Sequence, residues 1–176
     1  MSTQARGDQL VHGLRWGIKA SFIEYLRRMP GGRASASDGA VPVGTNEIFF
    51  AFDPAVRPPA EHGQAAWAFR GDVRFSGHFG LLFVRVAAPW IVLDAGSAVL
   101  TIAPPHERED APRVPLVTAT LERAGRHAGT EAWTSTSVRL TSAGAEIFND
   151  VYPEGEPFAP LTVQVPDRHG LAVAPR

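Results

Sequence analysis

The sequence predicts a mainly β fold, an antiparallel β-sandwich or barrel of about eight to eleven strands with two short α-helices. Three observations support it. Seventeen glycines and fifteen prolines in 176 residues interrupt the chain too often for a helix bundle. Short apolar runs with two-residue alternation recur between those interruptions. No heptad or other internal repeat is present. The length fits one domain, with a flexible N-terminus over 1–9, a single β domain over 10–166 and a tail over 167–176.

Taken in order, the first strand runs from His12 to Ile18, with Leu14, Trp16 and Ile18 on one face and Arg15 and Lys19 on the other. Ser21-Phe22-Ile23-Glu24 then matches a capping box, in which the Ser21 hydroxyl accepts from the Glu24 amide. It opens a helix over Phe22–Met29 that Pro30-Gly31-Gly32 ends. A rival pattern, one amphipathic helix from Asp8 to Met29, is weakened at Gly13 and Gly17 by about 1 kcal/mol each. Residues Gly31 to Gly44 are small and polar and read as a mobile loop. Strands are predicted at Glu47–Phe52, Ala65–Ser76, Leu81–Ala87, Trp90–Asp94, Ala98–Ala103, Val114–Glu122, Thr134–Leu140 and Leu161–Val165. A second short helix, Ser142–Phe148, has Thr141 as its N-cap.

Composition excludes several functions. A formal charge of −1 gives no electrostatic footprint for nucleic acid or an anionic membrane. The absence of cysteine removes disulfides, thiolate catalysis, Fe–S clusters and cysteine-based zinc sites. The densest apolar stretch, Phe79–Leu93, is broken by Arg85 and Pro89 and is too short to span a bilayer. The first residues lack the apolar region of a secretory signal, so the chain reads as cytoplasmic. His12, His62, His78, His106, His127 and His169 are scattered and form no zinc-binding pair. No nucleophile elbow, phosphate-binding loop or dinucleotide fingerprint appears.

Two features remain. Gly77-His78-Phe79-Gly80 lies between two predicted strands and presents an imidazole where backbone can be approached closely. On its own it reads as a structural turn. Tyr25, one of only two tyrosines, sits on the first helix with Ser21 and Phe22 at helical spacing. Spacing alone makes it a half-buried tyrosine with its ring on the core and its hydroxyl in water.

Leu14-Arg15-Trp16-Gly17-Ile18-Lys19-Ala20-Ser21-Phe22-Ile23-Glu24-Tyr25 resembles the opening motif of the HtaA-type haem-transport-associated domain of actinobacteria. Three further segments follow in that family's order. Gly71 to Leu82, containing Gly77-His78-Phe79-Gly80, resembles its central Gly-His-x-Gly-x-Leu element. Pro89-Trp90-Ile91 with Leu100 resembles the strands after it, and Leu140 to Phe148 with Tyr152 and Gly155 resembles the closing helix and turn. Phe83 stands where the family usually has an acidic residue.

The resemblance implies a β-rich fold that binds ferric haem, with Tyr25 as the axial ligand to iron and His78 bonded to Tyr25. A hard phenolate oxygen suits hard Fe(III), and an imidazole hydrogen bond favours the phenolate. Within that expectation Ser21 reaches a propionate or caps the helix, and Phe22 and Phe79 line the porphyrin or pack in the core. Lys19 pairs with a propionate or is solvated, and Trp16 is core. The expected partners are haem or another hydrophobic small molecule and a haem donor or acceptor protein, with a homodimer also open. Two other functions compete: a cytoplasmic small-molecule enzyme with Tyr25 and His78 as an acid/base pair, such as a cyclase, an isomerase or a haem-dependent tailoring enzyme of secondary metabolism, and an interaction module without a small-molecule site.

Overall fold

Alternating apolar side chains carry the chain through twelve strands and two helices in the computed structural model, which describes residues 12–106 and 111–167. The predicted flexible N-terminus, residues 1–9, lies outside the described residues, as does the predicted tail apart from Asp167. His169 lies outside them too.

The strands are β1 (Gly13–Trp16), β2 (Arg33–Ser37), β3 (Ala40–Val43), β4 (Glu47–Phe52), β5 (Ala65–Arg70) and β6 (Asp72–Gly77). They continue as β7 (Leu82–Ala87), β8 (Trp90–Asp94), β9 (Ser97–Ile102), β10 (Val114–His127), β11 (Thr130–Leu140) and β12 (Leu161–Pro166). Helix α1 spans Ala20–Arg28 and helix α2 spans Ser142–Ile147. Every strand pairing is antiparallel.

Strands β1-β12-β11-β10-β9-β8-β5-β4 follow one another, and β4 pairs back onto β1, which closes an eight-stranded barrel. Closure satisfies edge amides and carbonyls that an open sheet would leave to solvent. Strand β3 adds to β4, and β2-β6-β7 forms a separate three-stranded sheet. In register, Leu14 lies opposite both Val163 and Phe50. All three are completely buried. Trp16 is buried as well, and its Nε1–H donates to the Ala159 carbonyl at 2.9 Å, so the indole leaves no unpaired donor in the core.

Helix α1 turns Phe22, Leu26 and Met29 inward at four- and three-residue spacing. Phe22 meets Phe75 of β6 and Phe148 after α2 edge-on, with ring centroids 5.3 and 5.2 Å apart. Those contacts tie the helix to the small sheet. The Thr141 cap of α2 forms as predicted, its hydroxyl accepting from the Gly144 amide at 2.8 Å. No helix among the described residues is long and apolar enough to cross a membrane.

Several expectations need correction. The predicted capping box at Ser21 and Glu24 does not form. Ile18 adopts a left-handed φ of 59°, which ends β1 early and makes Lys19 the N-cap, so the helix starts before Ser21. The rival helix is excluded where residues are described, because Gly13–Trp16 is a strand. The supposed loop 31–44 contains β2 and β3, joined at Asp38-Gly39, whose φ values of 56° and 106° suit a tight left-handed turn. The predicted strand Ala65–Ser76 is two strands. It breaks at Gly71, where φ is 149° and a Cβ would collide with Ala40 and Phe50, and the chain leaves the barrel for the small sheet. The β10–β11 hairpin extends further than predicted, to a tight turn at Ala128-Gly129.

Candidate functional site

The small sheet ends in the Gly-His-Phe-Gly turn. Residues His78–Gly80 form one 3₁₀ turn between β6 and β7, with His78 and Phe79 both left-handed at φ 48° and 55°. Such a conformation costs a non-glycine residue about 1–2 kcal/mol, so the surroundings must hold it. They do so through hydrogen bonds and close packing. The His78 amide donates to the Pro30 carbonyl at 3.1 Å, and the Leu81 amide donates to His78 O at 3.2 Å. Gly77 is buried against Met29, and a Cβ at that position would collide with Met29 Sδ. The end of α1 therefore lies directly on the strand that delivers His78.

That packing brings together two residues 53 positions apart. Tyr25 Oη and His78 Nε2 are 3.1 Å from each other, with ring centroids 6.3 Å apart. Either the phenol donates to a neutral Nε2, or Nε2–H donates to a phenolate oxygen. The pair is open to solvent. Tyr25 is 49% exposed, and around it Phe79 and Leu81 are each 90% exposed and Phe83 is 41% exposed. Single exposed apolar residues are ordinary, but three on one turn and the strand after it form a patch.

The opposite end of the β6–β7 ribbon is pinned by charge. Asp72, 6% exposed, accepts from Arg74 and Arg85, with its Oδ2 2.9 and 2.8 Å from their Nη2 atoms. Burial alone would raise the Asp72 carboxyl. The two guanidinium hydrogen bonds and their positive charge outweigh it and hold the carboxyl at about 2. Arg113 is held differently: its guanidinium stacks 3.8 Å from the Trp90 ring and donates to Thr101 and to the Ala88 carbonyl. Burial lowers it to about 10, which leaves it charged at neutral pH.

The other predicted site residues divide clearly. Ser21 is exposed on the same helix face as Tyr25 and caps nothing. Phe22, expected on the porphyrin or in the core, is a core ring at 4% exposure. Phe79 is the exposed one. Lys19 is neither solvated nor free for a ligand. Its Nζ is 3.0 Å from Glu156 Oε1, donates to the Pro157 carbonyl at 3.0 Å and lies over the Tyr152 ring. It anchors the start of α1 to the loop after α2. Sequence reasoning missed Leu81 and the Asp72 cluster; Arg85, a charge inside the apolar run 79–93, was the sign of the latter. Among the described residues, no group of three or more histidine, aspartate or glutamate side chains is placed to hold a metal ion.

The family described as Htaa matches residues 12–164. Among solved structures, the chain is similar to the C-terminal domain of HtaA from Corynebacterium glutamicum, at 22% identity and a TM-score of 0.69, covering 86% of this chain and 93% of that one. It is similar to the N-terminal domain of HtaA from the same organism, at 22% identity and a TM-score of 0.71, covering 87% and 96%. It is also similar to the heme binding protein HtaB of that organism, at 21% identity and a TM-score of 0.66, covering 86% and 90%. At these identities the structural likeness shows the shared fold. No curated protein matches the chain by sequence.

Proposed function

The chain belongs to the HtaA family, and from that premise we propose that it binds ferric haem for capture, storage or transfer, with the Tyr25 phenolate as axial ligand and His78 hydrogen-bonded to it. The observation that carries this reading is the 3.1 Å contact between Tyr25 Oη and His78 Nε2 beneath an exposed apolar patch.

The residues present fit the group. A single accessible oxygen donor is what a porphyrin, which already supplies four nitrogens, requires of the protein. Phenolate is a hard anionic ligand suited to Fe(III), and tyrosinate ligation of haem has precedent. His78 Nε2–H can donate to the phenolate oxygen and stabilise its charge, as outer partners do for metal ligands. Phe79 and Leu81 offer apolar surface that a flat macrocycle would cover. Bound haem would supply the ferric centre that draws the proton off the phenol.

The open position of the pair favours binding and exchange over acid–base catalysis. A proton relay for a cyclase or isomerase works in a site that excludes water, and Tyr25 is half exposed. An exposed seat also suits handover to a haem donor or acceptor protein.

Titration of the purified chain with ferric haem, followed by absorption, tests the proposal. The wild type is expected to shift the Soret band and to gain a phenolate-to-iron charge-transfer band. Tyr25→Ala should lose both, and His78→Ala should bind more weakly with a displaced charge-transfer band. A Tyr25→Ala spectrum identical to that of the wild type would overturn the assignment.

A further inference from the structure

The surface around the Tyr25 hydroxyl has two unlike sides. On α1, Ser21, Tyr25 and Arg28 recur at four- and three-residue spacing and share one exposed face. Across the hydroxyl, on the turn after β6, stand Phe79 and Leu81, each 90% exposed. One side is polar and cationic and the other is apolar.

Two arginines close the helix, and they are engaged differently. Arg27 donates to the Thr45 carbonyl at 2.6 Å, on the flank of α1 turned away from Tyr25. Arg28 has no hydrogen bond or ion pair among the described residues. A cation in the last turn complements the helix dipole, but that role demands only one cation, and it does not explain why Arg28 is left open one turn from Tyr25.

Resting on the haem reading above, we propose that Arg28 binds a propionate of the porphyrin and so orients the macrocycle. Its carboxylate edge faces α1, and its vinyl- and methyl-bearing edge faces Phe79 and Leu81. The guanidinium is a planar fork that matches a carboxylate with two parallel hydrogen bonds. Three residues along a helix advance about 4.5 Å, which places the base of a long side chain beside the ligand atom and its tip toward the rim of a macrocycle. Haem is itself amphipathic in its plane, and the two sides of the site match its two edges. The ligand class this arrangement selects is a ferric porphyrin with free carboxylates.

The test compares ferric haem with its dimethyl ester, titrated in the same detergent into wild type, Arg28→Ala, Arg27→Ala and Tyr25→Ala. Arg28→Ala should bind haem about tenfold more weakly, with the charge-transfer band unmoved and the ligand-free melting curve unchanged. The wild type should bind the ester about tenfold more weakly than haem, and Arg28→Ala should no longer distinguish the two. Haem affinity in Arg28→Ala equal to wild type would overturn the proposal. An equal loss in Arg27→Ala would also overturn it, because long-range charge would then suffice. If the wild type shows no Tyr25-dependent band with either ligand, the haem reading itself fails, an outcome separate from these.

Discussion

Asp72 offers the sharpest quantitative test, because a single carboxylate holds two arginines from two strands. The perturbation is Asp72→Asn, combined with acidification of the wild type. The carboxyl lies at about 2 in the fold against its ordinary 3.8. A group whose folded value is depressed stabilises the fold above its unfolded value, and that stability is lost as pH falls toward the folded value. The difference amounts to about 2 kcal/mol at neutral pH, falling away between about pH 4 and 2. Since Asp72 is 6% exposed, solvent screening takes little from this.

Asp72→Asn keeps the shape and removes the charge that faces Arg74 and Arg85. At pH 7 it should lose about 2 kcal/mol, or about 4–8 °C in melting temperature for a chain of this size. Denaturant unfolding of both proteins from pH 7 down to about 3 provides the assay. The other carboxylates titrate in both proteins, so the informative quantity is the gap between the two stability curves. That gap should narrow as the wild-type carboxylate protonates. A gap of constant size across this range, or no gap at pH 7, would refute the reasoning.

Three further substitutions probe how the site is held. Phe22→Ala removes a ring packed edge-on against Phe75 and Phe148 and should cost about 3–5 kcal/mol; Tyr25→Ala, on the exposed face one turn away, should move the same melting curve by less than about 0.5 kcal/mol. Gly77→Ala should cost about 1–3 kcal/mol because its Cβ meets Met29. Adding Met29→Ala should cost less than the two separate losses combined, so a double-mutant cycle by denaturant unfolding reads the contact directly. Thr141→Ala removes the side-chain acceptor for the Gly144 amide and should cost about 1 kcal/mol in a thermal melt, with haem titration unchanged.

Much of the barrel was legible because its strands alternate cleanly. Leu14, Trp16 and the apolar residues of β4, β8, β9 and β12 need only a period of two to be placed. The small sheet was half hidden. Strand β2 reads Arg-Ala-Ser-Ala-Ser, whose alanines carry too little apolar surface to announce a buried face, although Ala34 and Ala36 lie opposite Phe75 and Val73. Asp38-Gly39 was a turn signal inside the segment read as a loop. Gly71 was hidden inside a continuous apolar run, and only its positive φ separates β5 from β6. The start of α1 was missed for a different reason. Ile18 is a β-branched residue in the left-handed region, the last residue type that local propensity would place there. Tertiary burial overrides that preference, since Ile18 is fully enclosed.

The site was legible in its parts but not in their meeting. Spacing along the chain placed Tyr25 on a helix and His78 on a turn, and no local pattern connects positions 53 apart. The connection comes from residues that read as plain core. Met29 fills the space that Gly77 vacates, Pro30 takes the His78 amide, and Lys19 fastens the other end of the helix to Glu156. The buried face of α1 therefore fixes where the exposed face stands. Ser21, Tyr25 and Arg28 contribute little to holding the helix and are left free to meet a ligand. Such a division predicts that stability and ligand binding can be altered independently along one nine-residue helix. It also explains why an open, half-exposed tyrosine can still be held at one distance from its histidine: the rigidity lies beneath it.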